Sequence, residues 1–258
     1  MKYLNGLFAE IKLDLELSWS YKTSFISEII TIAILYISLL FMDAGESLGI
    51  YYGLEAQSKE LLLVGYILWT FSIMAINTIS SNIQTEASTG TLEQKFTSII
   101  PMYTLILGQL ISSLLVQFLE IAIILAISIF IFDVPLIINL QSIIIFFITV
   151  MGMYGIGLIF GGITLKVKKL GQIIFILQII LLFISNTISM ASNSISVTKL
   201  IPLTIGNDLI RKAISNQAIP TLEYVQLFST SLAWVIIGII TFNYFEKLSK
   251  KEGLISAY

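Results

Sequence analysis

The chain contains no cysteine and no histidine among its 258 residues. Disulfide bonds, thiolate nucleophiles, Cys/His metal sites and every catalytic arrangement that needs an imidazole are therefore excluded. Charged residues make up only 12% of the chain, and a net charge of −2 with no basic stripe does not favour nucleic acid as a partner. No Gly-x-x-x-x-Gly-Lys-Ser/Thr motif occurs, so the chain lacks the usual phosphate-binding loop for ATP.

Hydrophobic residues, in contrast, make up 57% of the chain, which is more than one soluble core of this size requires. A bilayer core about 30 Å thick needs about 20 apolar residues per helix. Six apolar runs come close to or exceed that length: 25–42, 61–83, 103–132, 142–165, 171–190 and 226–245. The pattern predicts an all-α polytopic membrane protein, with one domain of six transmembrane helices over residues 25–258.

The placement of basic residues predicts the orientation of these spans. With the N-terminus inside, ten of the 14 lysines and arginines fall in inner segments and four fall in outer segments. This positive-inside bias predicts that both termini are cytoplasmic. The use of isoleucine and of lysine over arginine is typical of AT-rich prokaryotic genomes, so we expect a prokaryotic cell membrane.

Residues 1–24 have the pattern of an amphipathic helix. Leu4, Phe8, Ile11 and Trp19 fall on one helical arc, and Glu10 falls largely on the other side. We therefore predict an interfacial elbow helix that lies on the lipid of the inner leaflet.

Residues 86–101, between the second and third spans, are more polar than a short linker requires. Glu86 and Glu93 are seven residues apart, which would place them on one face of a continuous helix. Gly90 between them would allow another protein to approach closely. Leu92 and Phe96 recur at helical spacing and could enter a groove of a partner.

This segment resembles a motif of the permeases of type-2 ATP-binding-cassette (ABC) exporters. The resemblance rests on Glu-x-x-x-Gly-Thr-Leu-Glu, which in this chain is Glu86, Gly90, Thr91, Leu92 and Glu93. It implies that residues 86–101 are the coupling helix, which docks on a separate cytosolic ATPase. The elbow, the six spans and the short basic tail fit the same family.

The resemblance also implies the composition of the complex. Two permeases, identical or paralogous, would work with two ATPase subunits, and ATP and Mg²⁺ would be bound by those subunits. The chain itself would bind no cofactor and catalyse no reaction. Its opening sequence looks closer to drug and peptide exporters than to polysaccharide exporters, and its apolar interior favours an amphipathic or hydrophobic substrate.

Residues 195–222, between the fifth and sixth spans, are too short and too polar to form a further span. We predict short re-entrant helices that are broken at Pro202 and Gly206. Pro202, Asp208 and Arg211 resemble a pattern found at this place in the family. An external interfacial loop is the alternative.

Polar side chains within the spans are candidates for the substrate path. Asn77, Ser81 and Gln84 form a stripe on the second span, and Gln178 and Asn186 lie on the fifth. The resemblance implies that these two helices flank the axis of the permease dimer. Hydrogen bonding between helices is the alternative role.

Glu120 lies in the middle of the third span, one turn after Gln117. A carboxylate at membrane depth costs about 2.5–3.5 kcal/mol on insertion scales. It could bind a proton, a cation or the substrate, or it could fasten two helices through hydrogen bonds. We favour the structural role, because ATP rather than a proton gradient would drive transport.

The leading hypothesis is therefore the permease subunit of an ATP-driven exporter. A stand-alone secondary transporter, or an immunity-type membrane protein without an ATPase, is the alternative. That alternative predicts inverted repeats and several intramembrane charges. We detect no obvious repeat and only one central carboxylate.

Overall fold

The computed structural model describes residues 2–136, 138–189 and 196–252. These ranges consist of helices and the turns that connect them, with no β-strand. The ten α-helices of these ranges are, in chain order, α1 Lys2–Ser20, α2 Lys22–Phe41, α3 Glu46–Tyr52, α4 Ser58–Ser88, α5 Thr91–Phe96, α6 Met102–Phe132, α7 Leu140–Val167, α8 Ile173–Ile184, α9 Pro202–Ile214 and α10 Thr221–Glu252. Short 3₁₀ turns at Glu55–Gln57 and Ser196–Leu200 come before α4 and α9.

Five of these helices are long and apolar enough to cross a membrane. They are α2, α4, α6, α7 and α10, and they coincide with five of the six predicted spans. The other predicted span, 171–190, contains α8, whose 12 residues would extend only about 18 Å. Because residues 190–195 lie outside the described part of the chain, the count of six spans stays a prediction.

Helix α4 is the most buried of the five long helices, and it packs against α6, α7 and α9. Helix α7 packs closely against both α4 and α10 at glycine positions. A Cβ atom at Gly157 would collide with the backbone carbonyl of Ala75, and one at Gly155 would collide with the backbone of Trp234. The absence of side chains at these two positions lets the helix backbones approach closely, which stabilises helix pairs in lipid.

Helices α3 and α9 lie at one end of α4, and α5 lies at the other. The 31 residues of α4 extend about 46 Å. Helices α3 and α9 contact α4 near its start, where Gly49 of α3 lies against Ser58 and Arg211 of α9 binds the carbonyl of Leu61, whereas α5 follows the other end of α4. We call these two regions the α9 end and the α5 end of the bundle.

The prediction that Gly206 breaks the segment before the last span is wrong. Helix α9 is continuous from Pro202 to Ile214, with Gly206 in its interior. Pro202 does mark a boundary, because it occupies the first turn, where a missing N–H removes no hydrogen bond. A Cβ at Gly206 would collide with Thr149 of α7, so the glycine serves helix contact rather than a break.

Helix α1 occupies most of the predicted elbow and leaves its apolar arc exposed, as expected for a helix on lipid, but the contacts of its polar side were not predicted. Leu4, Phe8 and Trp19 are exposed, whereas Glu10 is buried against α6. An apolar face is compatible with a lipid environment, and a carboxylate needs polar partners from the protein. The polar side of α1 is therefore the side that packs on the bundle.

Candidate functional site

The predicted coupling helix over 86–101 is not one helix in the structure. Helix α4 runs on to Ser88, Gly90 adopts a left-handed conformation with φ of 75°, and α5 covers only Thr91–Phe96. A left-handed residue after the last turn is a common way for a helix to end, and glycine adopts it without steric cost. The motif therefore forms a helix end, a tight turn and a second, short helix.

Because the chain turns at Gly90, the prediction that Glu86 and Glu93 share one face is also wrong. Glu86 points from the last turn of α4 into the protein, where it forms an ion pair. Glu93 lies in the first turn of α5 and is exposed. Among the described residues other than its two chain neighbours, no atom lies within 4 Å of the position that a Cβ at Gly90 would occupy, so this glycine is required here by its backbone conformation.

Four side chains from four helices meet beneath α5. The Nζ atom of Lys95 donates hydrogen bonds to Oε1 of Glu86, at 2.6 Å, and to Oε1 of Glu10. The Nε2 atom of Gln109 donates to the same oxygen of Glu10, at 3.0 Å, and to that of Glu86, at 2.5 Å. We call Glu10, Glu86, Lys95 and Gln109 the Lys95 cluster. It joins α1, α4, α5 and α6.

The Lys95 cluster holds one cation between two carboxylates in a largely buried place, since only 16% of the Lys95 side chain is exposed. Burial acts to lower the pKa of Lys95, but the carboxylates of Glu86 and Glu10 outweigh it, and the pKa is raised. Lys95 is therefore charged at neutral pH. Next to the cluster, Asp14 of α1 accepts a hydrogen bond from Ser112 of α6, and burial raises the pKa of Asp14.

The underside of α5 is packed within the chain. Leu92 is 3% exposed and belongs to a cluster with Ile83, Met102 and Phe242. The expectation that Leu92 is available for the groove of a partner is therefore wrong, because its side chain is already used to hold α5 on the bundle. Phe96 is half-buried at the edge of the same cluster.

What remains accessible on α5 is polar. Thr91, Glu93 and Gln94 are exposed, and Glu93 and Gln94 lie on the side away from Leu92 and Lys95. A partner that docks at this end would therefore meet a short polar surface. We call these three residues the outer face of α5.

At the α9 end, Arg211 is fully buried and its guanidinium group donates to three backbone carbonyls. The acceptors are Leu61, at 3.1 Å, in α4, and Asn186 and Thr187, at 2.5 and 2.8 Å, just after α8. Gly65 of α4 provides the space, because a Cβ at this position would collide with the guanidinium. Arg211 thus connects α9 to both α4 and the end of α8.

Asp208, which belongs to the same predicted pattern as Pro202 and Arg211, connects α9 to α3. Its carboxylate accepts a hydrogen bond from the hydroxyl of Tyr52, at 2.6 Å, and pairs with Lys212, at 2.8 Å. Lys212 also pairs with Glu223 at the start of α10. Asp208 and Arg211 therefore both position α9, through different neighbours.

The structure brings together four of the five residues predicted for the substrate path. Asn77, Ser81, Gln84 and Gln178 line a cavity of about 350 Å³ between α4 and α8. The fifth, Asn186, is buried, and its carbonyl is bound by Arg211. Hydrogen bonding between helices also occurs on α4, where Ser80 contacts Thr164 of α7 at 2.5 Å.

Asn77, Ser81 and Gln178 also line a larger cavity of about 730 Å³, which extends to Glu28 and Glu120. Glu120 is 2% exposed and accepts a hydrogen bond from Gln117 of its own helix, at 2.9 Å. Among the described residues its carboxylate has no hydrogen bond to another helix. The preferred expectation, that Glu120 fastens two helices through hydrogen bonds, therefore has no support in the described contacts.

Glu10, Lys95 and Gln109 were not predicted as site residues. One signal was present in the sequence, because Gly6, Glu10 and Asp14 recur every four residues and so mark a small and polar stripe along α1. The pairing itself could not be read from sequence, since it joins residues 85 and 99 positions apart. Within the described residues, no group of three or more acidic side chains could hold a metal ion.

These features define a polytopic helical membrane protein in which a short polar helix is fixed to one end of the bundle. The chain belongs to the ABC-2 type transporter family, whose model matches residues 11–215, from within α1 to the end of α9. Proteins of this family are permeases of ABC transporters, are not themselves catalytic, and generally work with a cytosolic ATPase subunit. A comparison with curated proteins gives no match.

Proposed function

We propose that this permease exports its substrate in a complex with a separate cytosolic ATPase, and that the outer face of α5 receives the force of ATP hydrolysis. Thr91, Glu93 and Gln94 are accessible, whereas the other side of the helix is held by Leu92 and Lys95. A helix that is fixed on one side and polar on the other can transmit a push instead of yielding to it.

The Lys95 cluster carries this proposal. Lys95 is bonded to Glu10 and Glu86, and Gln109 is bonded to the same two carboxylates. A displacement of α5 is therefore opposed by charge-assisted hydrogen bonds to α1 and α4, and both helices are tied to α6. Such bonds are short and directional, so they transmit displacement better than apolar contacts that can slide.

The proposed complex has two permeases and two ATPases, with ATP and Mg²⁺ on the ATPases. The second permease is a further copy of this chain or a paralogue. The α5 end faces the cytoplasm of a prokaryotic cell, in agreement with the positive-inside bias. Substrate moves along the α4–α8 cavity near Asn77, Ser81 and Gln178, and α9 acts as a re-entrant element at the far end.

The cargo we propose is amphipathic or hydrophobic, such as a drug, an antimicrobial peptide or a lipid-like molecule. The polar groups in the α4–α8 cavity are amides and hydroxyls, which suit orientation of such a molecule better than capture of a highly charged one. This chemistry favours the drug and peptide branch of the family over the polysaccharide branch.

The test is co-purification and coupled activity. The tagged permease is expressed with the nucleotide-binding protein encoded by a neighbouring reading frame, isolated, and reconstituted in lipid vesicles. We expect a stable complex whose ATP hydrolysis rises when transported substrate is added. A chain that transports without any ATPase, driven by an ion gradient, would contradict the proposal and support a secondary transporter.

A further inference from the structure

The larger cavity has a charge pattern that the proposed path does not explain. It has a volume of about 730 Å³ and lies between α2, α4, α6 and α8, beside the second half of α1. Ligand sites for small molecules have volumes of about 300–1,000 Å³, so the space suffices for a compact organic molecule.

The charged side chains that line this cavity are all acidic. Glu28 of α2 and Glu120 of α6 lie along it, and Asp14 of α1 borders it. No lysine or arginine is found among the described residues of its lining. Ionisable side chains within membrane spans ordinarily face the bundle interior or a water-filled cavity, pair with one another, and mark substrate or ion paths. Here the lining offers carboxyl groups from three helices and, among its described residues, no basic group.

Aromatic rings form the other part of the lining, from Tyr66 and Trp69 of α4 and Phe175 of α8. The hydroxyl of Tyr66 donates to the carbonyl of Ile32, at 2.7 Å, and the indole of Trp69 donates to that of Gln178, at 3.3 Å. The polar atoms of Tyr66 and Trp69 thus bind backbone carbonyls, and the centroids of these two rings lie 5.7 Å apart. Aromatic faces attract cations as well as apolar groups.

We propose that this cavity binds an organic cation with an apolar body, whose positive charge pairs with the carboxyl groups of Glu28 and Glu120 and whose body packs on Trp69 and Phe175. The inference rests on the proposed function and narrows its amphipathic cargo to a cationic one. Asn77, Ser81 and Gln178 line this cavity and the α4–α8 cavity alike, so the bound cation lies next to the proposed path.

The experiment compares two probes of the same shape and opposite charge, tetraphenylphosphonium and tetraphenylborate. Each is titrated by equilibrium dialysis into the full-length permease in nanodiscs of zwitterionic lipid, with empty nanodiscs as the blank. We expect saturable binding of the phosphonium and none of the borate. No variant is needed for this first comparison, so misfolding cannot explain its result.

Variants then locate the site. We expect Glu28→Gln with Glu120→Gln to weaken phosphonium binding about tenfold or more, which corresponds to about 1.4 kcal/mol. Glu120→Asp keeps the charge and should retain most of the affinity. Glu46→Gln removes an exposed carboxylate outside this cavity and serves as the matched control, with unchanged binding.

Equal binding of the two probes, or wild-type affinity in the double Gln variant, would overturn the proposed cation site. The assay contains no ATPase, so its outcome is independent of the proposed export function. If the permease binds no cation but its complex shows substrate-stimulated ATP hydrolysis, only the proposed cation site is contradicted. If the permease binds the cation selectively but no ATPase is coupled to it, only the proposed ATP-driven export is contradicted.

Discussion

Lys95 in α5 and Glu10 in α1 form an ion pair although they are 85 positions apart in the sequence. The pair fixes the short helix that follows the second span to the N-terminal helix, and both are tied through Gln109 to α6. The N-terminal helix is thus part of the same polar assembly as α5. A displacement at α5 is passed to the start of the chain as well as to α4.

Removal of Lys95 should destabilise this assembly. In Lys95→Met, two buried carboxylates lose their cation, and loss of one partner of a buried pair costs about 3 kcal/mol or more. Unfolding in nanodiscs, followed by heat or by added detergent, measures the change. Glu86→Gln in the same chain should restore part of the loss, because one fewer carboxylate then needs a partner.

Lys12→Met is the matched control for that experiment, because Lys12 pairs with Glu16 on the exposed side of α1. We expect no measurable change in stability, since exposed pairs contribute little. A Lys95→Met variant as stable as this control would show that the Lys95 cluster contributes nothing to the fold.

Alkaline pH should act like the Lys95→Met variant. The pKa of Lys95 is raised in the folded protein above the ordinary lysine value of 10.5, because Glu86 and Glu10 favour its charged form. The resulting stabilisation is fully present below the ordinary value and is lost as the pH rises through the raised pKa. As the pH is raised from neutral, the stability difference between wild type and Lys95→Met should therefore persist and shrink only at strongly alkaline pH. A difference that already shrinks as the pH rises from 7 to about 9 would contradict the assignment.

The spans were predictable from sequence, and the site was predictable only in part, for identifiable physical reasons. Apolar runs long enough to cross a bilayer predicted the helices that became α2, α4, α6, α7 and α10, because length and hydropathy are local properties. The motif Glu86 to Glu93 was singled out from the sequence, but it was interpreted as one helix because Glu86 and Glu93 have helical spacing. A single left-handed residue, Gly90, overrides that spacing.

The orientation of α1 shows the same limit. The hydrophobic arc of α1 predicted which face meets lipid, but it did not report what the polar face contacts. The buried position of Glu10 depends on Lys95 and Gln109 from distant parts of the chain, which no local pattern reports.

Arg211 should be the least replaceable residue of α9. In Arg211→Lys one ammonium group would have to serve three carbonyls on two segments, and its geometry does not match the planar guanidinium. Each buried carbonyl left without a donor costs about 1–3 kcal/mol, so we expect a loss of at least about 2 kcal/mol in unfolding experiments. The neighbouring Lys212→Gln removes a cation whose carboxylate partners are 27% and 30% exposed, so water can replace it in part and the loss should be smaller than in Arg211→Lys. Equal losses in the two variants would contradict the role of the three carbonyl bonds.

The sharpest test of the outer face of α5 is charge reversal at Glu93. Glu93 is exposed, lies in the first turn of α5, and is not part of the Lys95 cluster. Glu93→Lys should therefore leave the bundle folded while it places a positive charge where the ATPase is proposed to dock. We expect about tenfold weaker binding of the ATPase in a pull-down titration, together with loss of substrate-stimulated ATP hydrolysis in vesicles.

Glu46→Lys is the matched control for Glu93→Lys, because Glu46 is also an exposed glutamate in the first turn of a short helix, α3, at the opposite end of α4. Both substitutions oppose the dipole of a short helix, so their effects on stability should be similar and small. Only Glu93→Lys should reduce ATPase binding, because only the α5 end is proposed to meet the ATPase. Wild-type binding and coupling in Glu93→Lys would place the docking surface elsewhere, and equal loss in both variants would indicate a general defect of folding or insertion rather than a broken contact at α5.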